Sequence, residues 1–167
     1  MPDPPAKQPF DLDAYLERMQ TRPCFICGLV AGDPEFAHHV VYEDDFAIAF
    51  LNKYPTLFGY TLVCPKAHVE QIGGGELSLD DHLRLQRLVY AVAEALRRVV
   101  PTERVYVLSL GSQQGNRHLH WHVAALPPGV APEDQQFAAL DVTRGVLALD
   151  EAEMAALAAR IAHALQP

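Results

Sequence analysis

The chain has few cysteines and no long apolar run, and each shortage argues against a class of protein. Three cysteines in 167 residues are too few, and odd in number, for a scaffold held by disulfides. We therefore expect a reducing, cytoplasmic compartment. No apolar stretch approaches the length of a bilayer span, so we expect no membrane partner.

Positive charge is also scarce. Thirteen lysines and arginines stand against 21 aspartates and glutamates, which gives a formal net charge of -8. Long nucleic acids are bound mainly through basic surfaces, so this balance argues against a nucleic-acid polymer as partner. It does not exclude a mononucleotide, because a few backbone N–H groups and imidazoles can hold its phosphate oxygens.

The length suits one domain, and we find no internal repeat or interdomain linker. We expect residues 1–10 to form a disordered, proline-rich leader, residues 11–128 to form the domain, and residues 129–167 to form an extension packed on it. Apolar periodicity predicts a first helix after Asp11, a hairpin over 40–52, a strand over 60–64, a long helix from Ser78 to Pro101, strands over 104–110 and 118–126, and a last helix capped by Asp150. This order predicts an α+β fold with a mainly antiparallel sheet.

Three histidines alternate with apolar residues in the run His118-Leu119-His120-Trp121-His122. In a strand, residues two apart share a face, so the histidines form one row and the apolar residues form the opposite, core-facing row. The histidine row must then face a cleft or solvent. Three interpretations are open from the residues alone: a polar strand face without a role, a catalytic zinc held by three histidines, or imidazoles that attack and stabilise a phosphate.

The run 118–125 resembles the signature of the histidine-triad (HIT) family, in which histidines and hydrophobic residues alternate three times. Residues 24–27, 41–44, 49–52 and 59–68 resemble further family segments in the expected order. The resemblance covers roughly residues 24–128. It implies a HIT-like antiparallel half-barrel sheet with one long packed helix, followed here by a C-terminal helical extension, and usually a homodimer.

The same resemblance implies a nucleotide hydrolase or nucleotidyl transferase that acts at the α-phosphate. His120 is the implied nucleophile, which forms a nucleotidyl-histidine, and His122 is implied to stabilise the charged transition state. We expect the other ring nitrogen of His120 to donate to a backbone carbonyl. Asn116 is a candidate to act beside the leaving group. The candidate substrates are a nucleoside phosphoramidate, a nucleotidyl ester or a dinucleoside polyphosphate.

Cys24 and Cys27 have the C-x2-C spacing, which by itself fits a redox pair, half of a metal site or coincidence. Zinc-bearing members of the family resemble this chain at four positions, which match Cys24, Cys27, His68 and His118. Two thiolates and two imidazoles form a closed tetrahedral set that suits a structural zinc. His38 and His39 are rival ligands.

The resemblance also implies a nucleoside pocket. Asn52 matches the residue that binds the ribose hydroxyls, and Ile26, Leu29 and Phe50 match positions that enclose the base, although plain core packing is the alternative for these three. Ser109, Gln114 and Gly115 complete the implied nucleotide-binding set. The chain departs from the family pattern at two places. Tyr60 stands where many relatives have histidine. The loop before His118 is two residues shorter than usual, so Asn116, Ser112 or Gln114 would have to replace a hydroxyl that relatives place beside the leaving group.

Two other functions remain open at this point. One is a regulatory module that binds nucleotides with little turnover. The other is a zinc-dependent hydrolase that uses the triad as metal ligands.

Overall fold

A five-stranded antiparallel sheet forms the centre of the molecule. The computed structural model describes residues 5–111 and 116–166. The strands are β2 (Val40–Glu43), β3 (Ala47–Leu51), β4 (Thr61–Pro65), β5 (Arg104–Leu108) and β6 (Trp121–Leu126). They lie in the order β2-β3-β4-β6-β5, and every neighbouring pair is antiparallel. The predicted α+β class and the predicted hairpin are confirmed.

Five α-helices surround this sheet in the described part of the chain. They are α1 (Leu12–Thr21), α2 (Phe25–Val30), α3 (Leu79–Val99), α4 (Gln135–Leu140) and α5 (Glu151–Leu165). The long helix begins as its sequence predicts, since the Ser78 hydroxyl accepts from the backbone N–H of Asp81 at 3.1 Å. Asp150 and Glu153 form a complete capping box at the start of α5. None of the helices described is long and apolar enough to cross a membrane.

Both faces of the sheet are covered, which explains why β3 is buried along its whole length. Alternate residues of β3 point to opposite faces. Ala49 and Leu51 join a core cluster with α3 and α5, whereas Ile48 and Phe50 join a second cluster with residues of α2 and α4. The side chain of His122 lies on the second face, because its sequence neighbours Trp121 and Val123 point to the first face and belong to the first cluster.

The N-terminal segment is more ordered than its composition predicts. Lys7–Gln8 forms strand β1, which pairs antiparallel with β7 (Val146–Leu147). The expectation of disorder over residues 1–10 is therefore wrong for these described residues, because a partner about 140 positions away in sequence is invisible to local composition. Gly145 allows the pairing: its φ is +92°, and a Cβ there would lie 2.8 Å from the Gln8 carbonyl oxygen.

The residues after Leu126 lie on the same core as the sheet. Helix α5 packs on α3 and β2, and α4 packs on β6. Leu157 and Ile161 of α5 are almost completely buried, at 2% and 0% exposure.

Candidate active site and metal centre

The three histidines do not all lie in one strand. The predicted strand over 118–126 begins only at Trp121. Before that point Leu119 donates its backbone N–H to Val69 O at 2.7 Å, so this stretch is bound to the loop after β4 and not to a neighbouring strand. The apolar row still faces the core as predicted, since Leu119 and Trp121 are each 4% exposed and Val123 is fully buried.

His118 turns away from the other two histidines and is completely buried. The expectation that the whole histidine row faces a cleft or solvent is therefore wrong for this residue. Its Nδ1 lies 3.5 Å from Cys24 Sγ and 3.7 Å from Cys27 Sγ, while His68 Nδ1 lies 3.2 Å from Cys27 Sγ. One donor atom from each of these four residues lies within 4.8 Å of all the others.

This donor set fits a zinc ion. Two sulfur and two imidazole ligands are the set that Zn²⁺ prefers in closed structural sites. His118 also has the support that a metal-bound imidazole requires, because its Nε2 lies 2.9 Å from Pro65 O and can donate to that carbonyl. On the other ligand, His68 Nε2 lies 3.4 Å from Glu70 Oε1. Neither rival ligand belongs to the group: His38 stacks on Phe25, and His39 lies 3.2 Å from Glu151.

His120 and His122 form a separate pair. Their Nε2 atoms are 2.9 Å apart, His120 Nδ1 lies 2.7 Å from His118 O, and His122 Nδ1 lies 3.2 Å from the Tyr60 hydroxyl. A carbonyl can only accept, so His120 Nδ1 carries the proton. In a neutral ring His120 Nε2 must then accept from His122 Nε2, which leaves His122 Nδ1 to accept from Tyr60.

Burial keeps all three triad rings uncharged at neutral pH. Burial is the main cause that lowers the pKa of His118 to about 4 and that of His122 to about 3. Neighbouring histidines contribute to both shifts, and the hydrogen bond to Pro65 O opposes the shift of His118. Burial also lowers the pKa of His120, although the carbonyl of His118 opposes this shift. For the Tyr60 hydroxyl, burial raises the pKa to about 12, so this group stays protonated.

Two of the predicted residues hold the backbone around His120. The Ser109 hydroxyl donates to His120 O at 3.0 Å, and Asn116 Oδ1 accepts from the backbone N–H of His118 at 3.2 Å. The Asn116 Nδ2 lies 3.5 Å from His120 Nδ1. Because that ring nitrogen already donates to His118 O, this last contact is packing and not a hydrogen bond.

A cleft opens beside the histidine pair, and Asn52 lies on its wall. The Asn52 Oδ1 accepts from the backbone N–H of Tyr54 at 2.9 Å, and its backbone N–H donates to Tyr60 O at 2.8 Å. The wall is built from these side chains of α1, the α2 region, the loop after β3 and the triad: Tyr15, Arg18, Met19, Arg22, Pro23, Phe25, Glu35, Phe36, His38, Asn52, Lys53, Tyr54, Leu62, Asn116, His120 and His122.

The predicted base-binding residues lie behind this wall. Ile26 and Phe50 are both 0% exposed in the second core cluster, and Leu29 packs against that cluster. The core alternative is the one the structure shows for Ile26 and Phe50, because neither offers surface to a ligand. Phe25 and Phe36 line the cleft instead. Phe25, between the two cysteines of the C-x2-C pair, was available as a sequence signal, whereas Phe36 lies in a short 3-10 helix with no such mark.

Two predicted nucleotide-binding residues, Gln114 and Gly115, fall outside the described residues, as does Ser112. The contribution of helix α1 was not predicted at all. Its residues share no motif with the triad, and only the folded chain brings them to the cleft.

Comparison with known proteins agrees with this geometry. A family model for the HIT domain matches residues 33–127, which include the hairpin, β4, α3 and the triad. The chain belongs to the HIT-domain family. Among curated relatives, "Protein hit" of Bacillus subtilis (strain 168) is 32% identical over 107 residues, which are 62% of this chain and 70% of that protein. An uncharacterized HIT-like protein of Borreliella burgdorferi is 32% identical over 109 residues, which are 60% of this chain and 73% of that protein.

Solved structures show the same HIT fold. A hypothetical histidine triad nucleotide-binding protein from Sulfolobus tokodaii superposes with a TM-score of 0.68 at 26% identity, covering 85% of this chain and 91% of that one. A Zn-bound histidine triad family protein from Mycobacterium smegmatis gives a TM-score of 0.66 at 20% identity, covering 85% and 92%. This chain therefore has the fold of the HIT family, with an α+β architecture like that of these neighbours.

Proposed function

We propose that this protein is a nucleotide hydrolase or nucleotidyl transferase that forms a covalent intermediate on His120. The observation that carries the proposal is the direction of the hydrogen bonds along Tyr60, His122 and His120. They leave the Nε2 lone pair of a neutral His120 facing the cleft. The only group that donates to this lone pair is His122 Nε2–H, which can donate to a bound ligand instead. The Sulfolobus tokodaii neighbour is described as nucleotide-binding, which supports the same class of ligand.

The chemistry then runs in two displacements at phosphorus. The Nε2 lone pair of His120 forms an N–P bond to the α-phosphorus, and the bond to the leaving group breaks with its electron pair on that group, which takes a proton from solvent. The ring becomes cationic, and its Nδ1–H donates to His118 O at 2.7 Å, which stabilises the charge. A water or another acceptor next forms its own bond to phosphorus and releases its proton to solvent. The N–P bond breaks, and the neutral ring is restored.

His122 exchanges one acceptor for another during this sequence. Its Nε2–H donates to His120 before the substrate binds, at an Nε2–Nε2 distance of 2.9 Å. A phosphate oxygen that enters between the rings can accept the same proton. The donor is thus aimed in advance at the oxygens on which charge develops. In this scheme Asn52 binds the ribose, and Asn116 and Ser109 keep the backbone of the triad in place.

Zinc enters the proposal as a structural cofactor. Cys24, Cys27, His68 and His118 would hold it, and the zinc-bound neighbour from Mycobacterium smegmatis supports this assignment. When bound, the ion supplies a tetrahedral cross-link between segments far apart in sequence. The backbone carbonyl that orients His120 belongs to His118, so this cross-link also holds the partner of the nucleophile.

The geometry does not favour a metal shared by all three triad histidines. Within the described residues, the four-residue group with His118 is the cluster suited to a metal, and neither His120 nor His122 belongs to it. A regulatory module without turnover is distinguished by experiment, because it would bind nucleotide without forming an adduct.

The decisive experiment is mass spectrometry of protein quenched during turnover with a panel of nucleotides. We expect one nucleotidyl group on the peptide that contains His120. The variant His120→Asn should bind nucleotide but lose the adduct and the turnover, whereas the control His163→Asn, at an exposed position of α5, should keep both. Undiminished turnover in His120→Asn would overturn the proposal.

We also propose a homodimer. Strand β5 is an edge of the five-stranded sheet in the described part of the chain, and its Val107 is 46% exposed. An apolar side chain on an open strand edge favours pairing with a second copy. Sedimentation equilibrium should give twice the mass of one chain, and a monomer at micromolar concentration would contradict this assembly.

A further inference from the structure

Helix α1 lies against the cleft that holds His120 and His122. Tyr15 and Arg18 of this helix line the cleft, as does Arg22 just beyond its end. No residue of α1 is fully buried, so the helix contributes little to the core. The HIT-domain match begins at residue 33, so α1 lies outside the matched region.

An aromatic trio holds α1 in this position. The ring centroids of Phe10, Tyr15 and Tyr54 are 5.0 to 5.7 Å apart. Tyr54 belongs to the loop after β3, where its backbone N–H donates to Asn52 Oδ1. The trio thus holds α1 against the loop that carries Asn52 and Lys53, and both segments line the cleft.

The charges on this wall are mostly positive, although the chain as a whole is acidic with a net charge of -8. Arg22 is neutralised by Glu35, at 2.7 Å. Arg18 and Lys53 form no ion pair with any residue in the described ranges. These two cations therefore set the sign of the charge on this wall.

We propose that Arg18 and Lys53 bind the phosphates that follow the one attacked by His120. This inference rests on the proposed function and narrows its substrates to nucleotides whose leaving group is itself a phosphate chain. A neutral amine or alcohol would leave both cations without a partner, whereas a second and third phosphate supply the anionic oxygens that arginine and lysine prefer.

Binding of a graded phosphate series tests the inference. Calorimetry in magnesium-free buffer would compare a nucleoside monophosphate with the α,β-methylene analogues of its di- and triphosphate, which resist cleavage at the α-phosphorus. The nucleoside is the one that labels His120. We expect affinity for the wild-type protein to rise at least about tenfold from the mono- to the triphosphate analogue, and to fall with added salt.

The variants separate this inference from the function on which it rests. Arg18→Gln and Lys53→Gln should each remove most of the rise while leaving monophosphate affinity within about twofold, and Arg97→Gln, an exposed charge in the last turn of α3, should retain the rise. A flat series for the wild type, or an undiminished rise in both variants, would overturn the inference. An adduct on His120 in that case leaves the proposed function standing, and the absence of any adduct refutes that function on its own.

Discussion

At the residue scale, the proposed chemistry depends on the direction of one hydrogen-bond chain. Tyr60 stands at its outer end, and burial raises the pKa of its hydroxyl to about 12, so this group stays protonated and can donate to His122 Nδ1. The proton on the opposite nitrogen of His122 then points at His120. A tyrosine can therefore supply the orientation that a histidine would supply at this position.

Replacing Tyr60 with Phe tests this role. The change removes the hydroxyl but keeps the ring, so we expect kcat to fall about tenfold with KM within about twofold, the effect of one hydrogen bond of about 1.4 kcal/mol. Steady-state kinetics would measure both constants. The control is Tyr106→Phe in β5, where the structure shows no hydrogen bond for the hydroxyl within its described residues. Equal kcat values for the two variants would contradict an orienting role for Tyr60.

At the element scale, the turn of the β2–β3 hairpin depends on one carboxylate. Asp44 accepts from the backbone N–H groups of Phe46 and Ala47, at 2.8 and 2.6 Å, and also from Tyr42 and Arg84. Partial burial raises the pKa of Asp44, but these hydrogen bonds more than offset it and hold the pKa below its usual value. The ionised form therefore stabilises the turn.

The variant Asp44→Asn should lower the free energy of unfolding by about 1–2 kcal/mol near neutral pH. Since the folded-state pKa lies below the unfolded value of about 3.9, the stabilisation is present above that pH and is lost as pH falls through the folded-state pKa. Urea unfolding from pH 7 to pH 3 should show the wild type and variant converging on the acid side. Asp45→Asn, 84% exposed, is the control and should change little; a pH-independent gap for Asp44→Asn would refute the argument.

The last helix is the second case at this scale. We propose that residues 129–167 belong to the same cooperative unit as the HIT domain. Leu157→Ala, at a 2% exposed position, should cost about 2–5 kcal/mol in a single unfolding transition. Leu83→Ala, at a 45% exposed position of α3, should cost less than about 0.5 kcal/mol. Two separate transitions, or equal costs, would show that the extension folds apart from the domain.

At the scale of the whole molecule, the cysteine–histidine cluster joins parts of the chain that are far apart in sequence. Cys24 and Cys27 flank the start of α2, His68 follows β4, and His118 precedes β6. A metal bound there stabilises the folded chain over the unfolded one, because the four ligands meet only after folding.

We expect the purified protein to contain about one zinc per chain, and chelation to lower Tm by at least about 5 °C. Cys27→Ser should lose most of the metal. Cys64→Ala is the control, since this third cysteine is buried in the core and is not one of the four donors, and it should keep the zinc even if Tm falls. Elemental analysis of the soluble fraction would measure the metal, and full zinc occupancy in Cys27→Ser would contradict the assignment.

Much of this architecture could be predicted from the sequence, because the signals are local. The apolar period of α3, the caps at Ser78 and Asp150 and the alternation around Trp121 each depend on residues within a few positions. The resemblance to the HIT family supplied the proposed ligand set, whose four donors the structure brings within 4.8 Å. The predictions that failed concern contacts between residues far apart in sequence.

The pairing of Lys7–Gln8 with β7 and the approach of α1 to the cleft both join segments with no common motif. For Ile26 and Phe50 the sequence left two alternatives open, because an apolar side chain at such a position can lie in a pocket wall or one layer behind it, and periodicity does not distinguish the two.

The pairing of β1 with β7 limits the movement of α1. Upstream, the segment is tied down where Lys7–Gln8 pairs with Val146–Leu147; downstream, it runs into Cys24 of the cysteine–histidine cluster. A helix held at both ends cannot swing about one end as a lid would. We therefore expect a ligand to enter the cleft along the side of α1, without displacement of this helix.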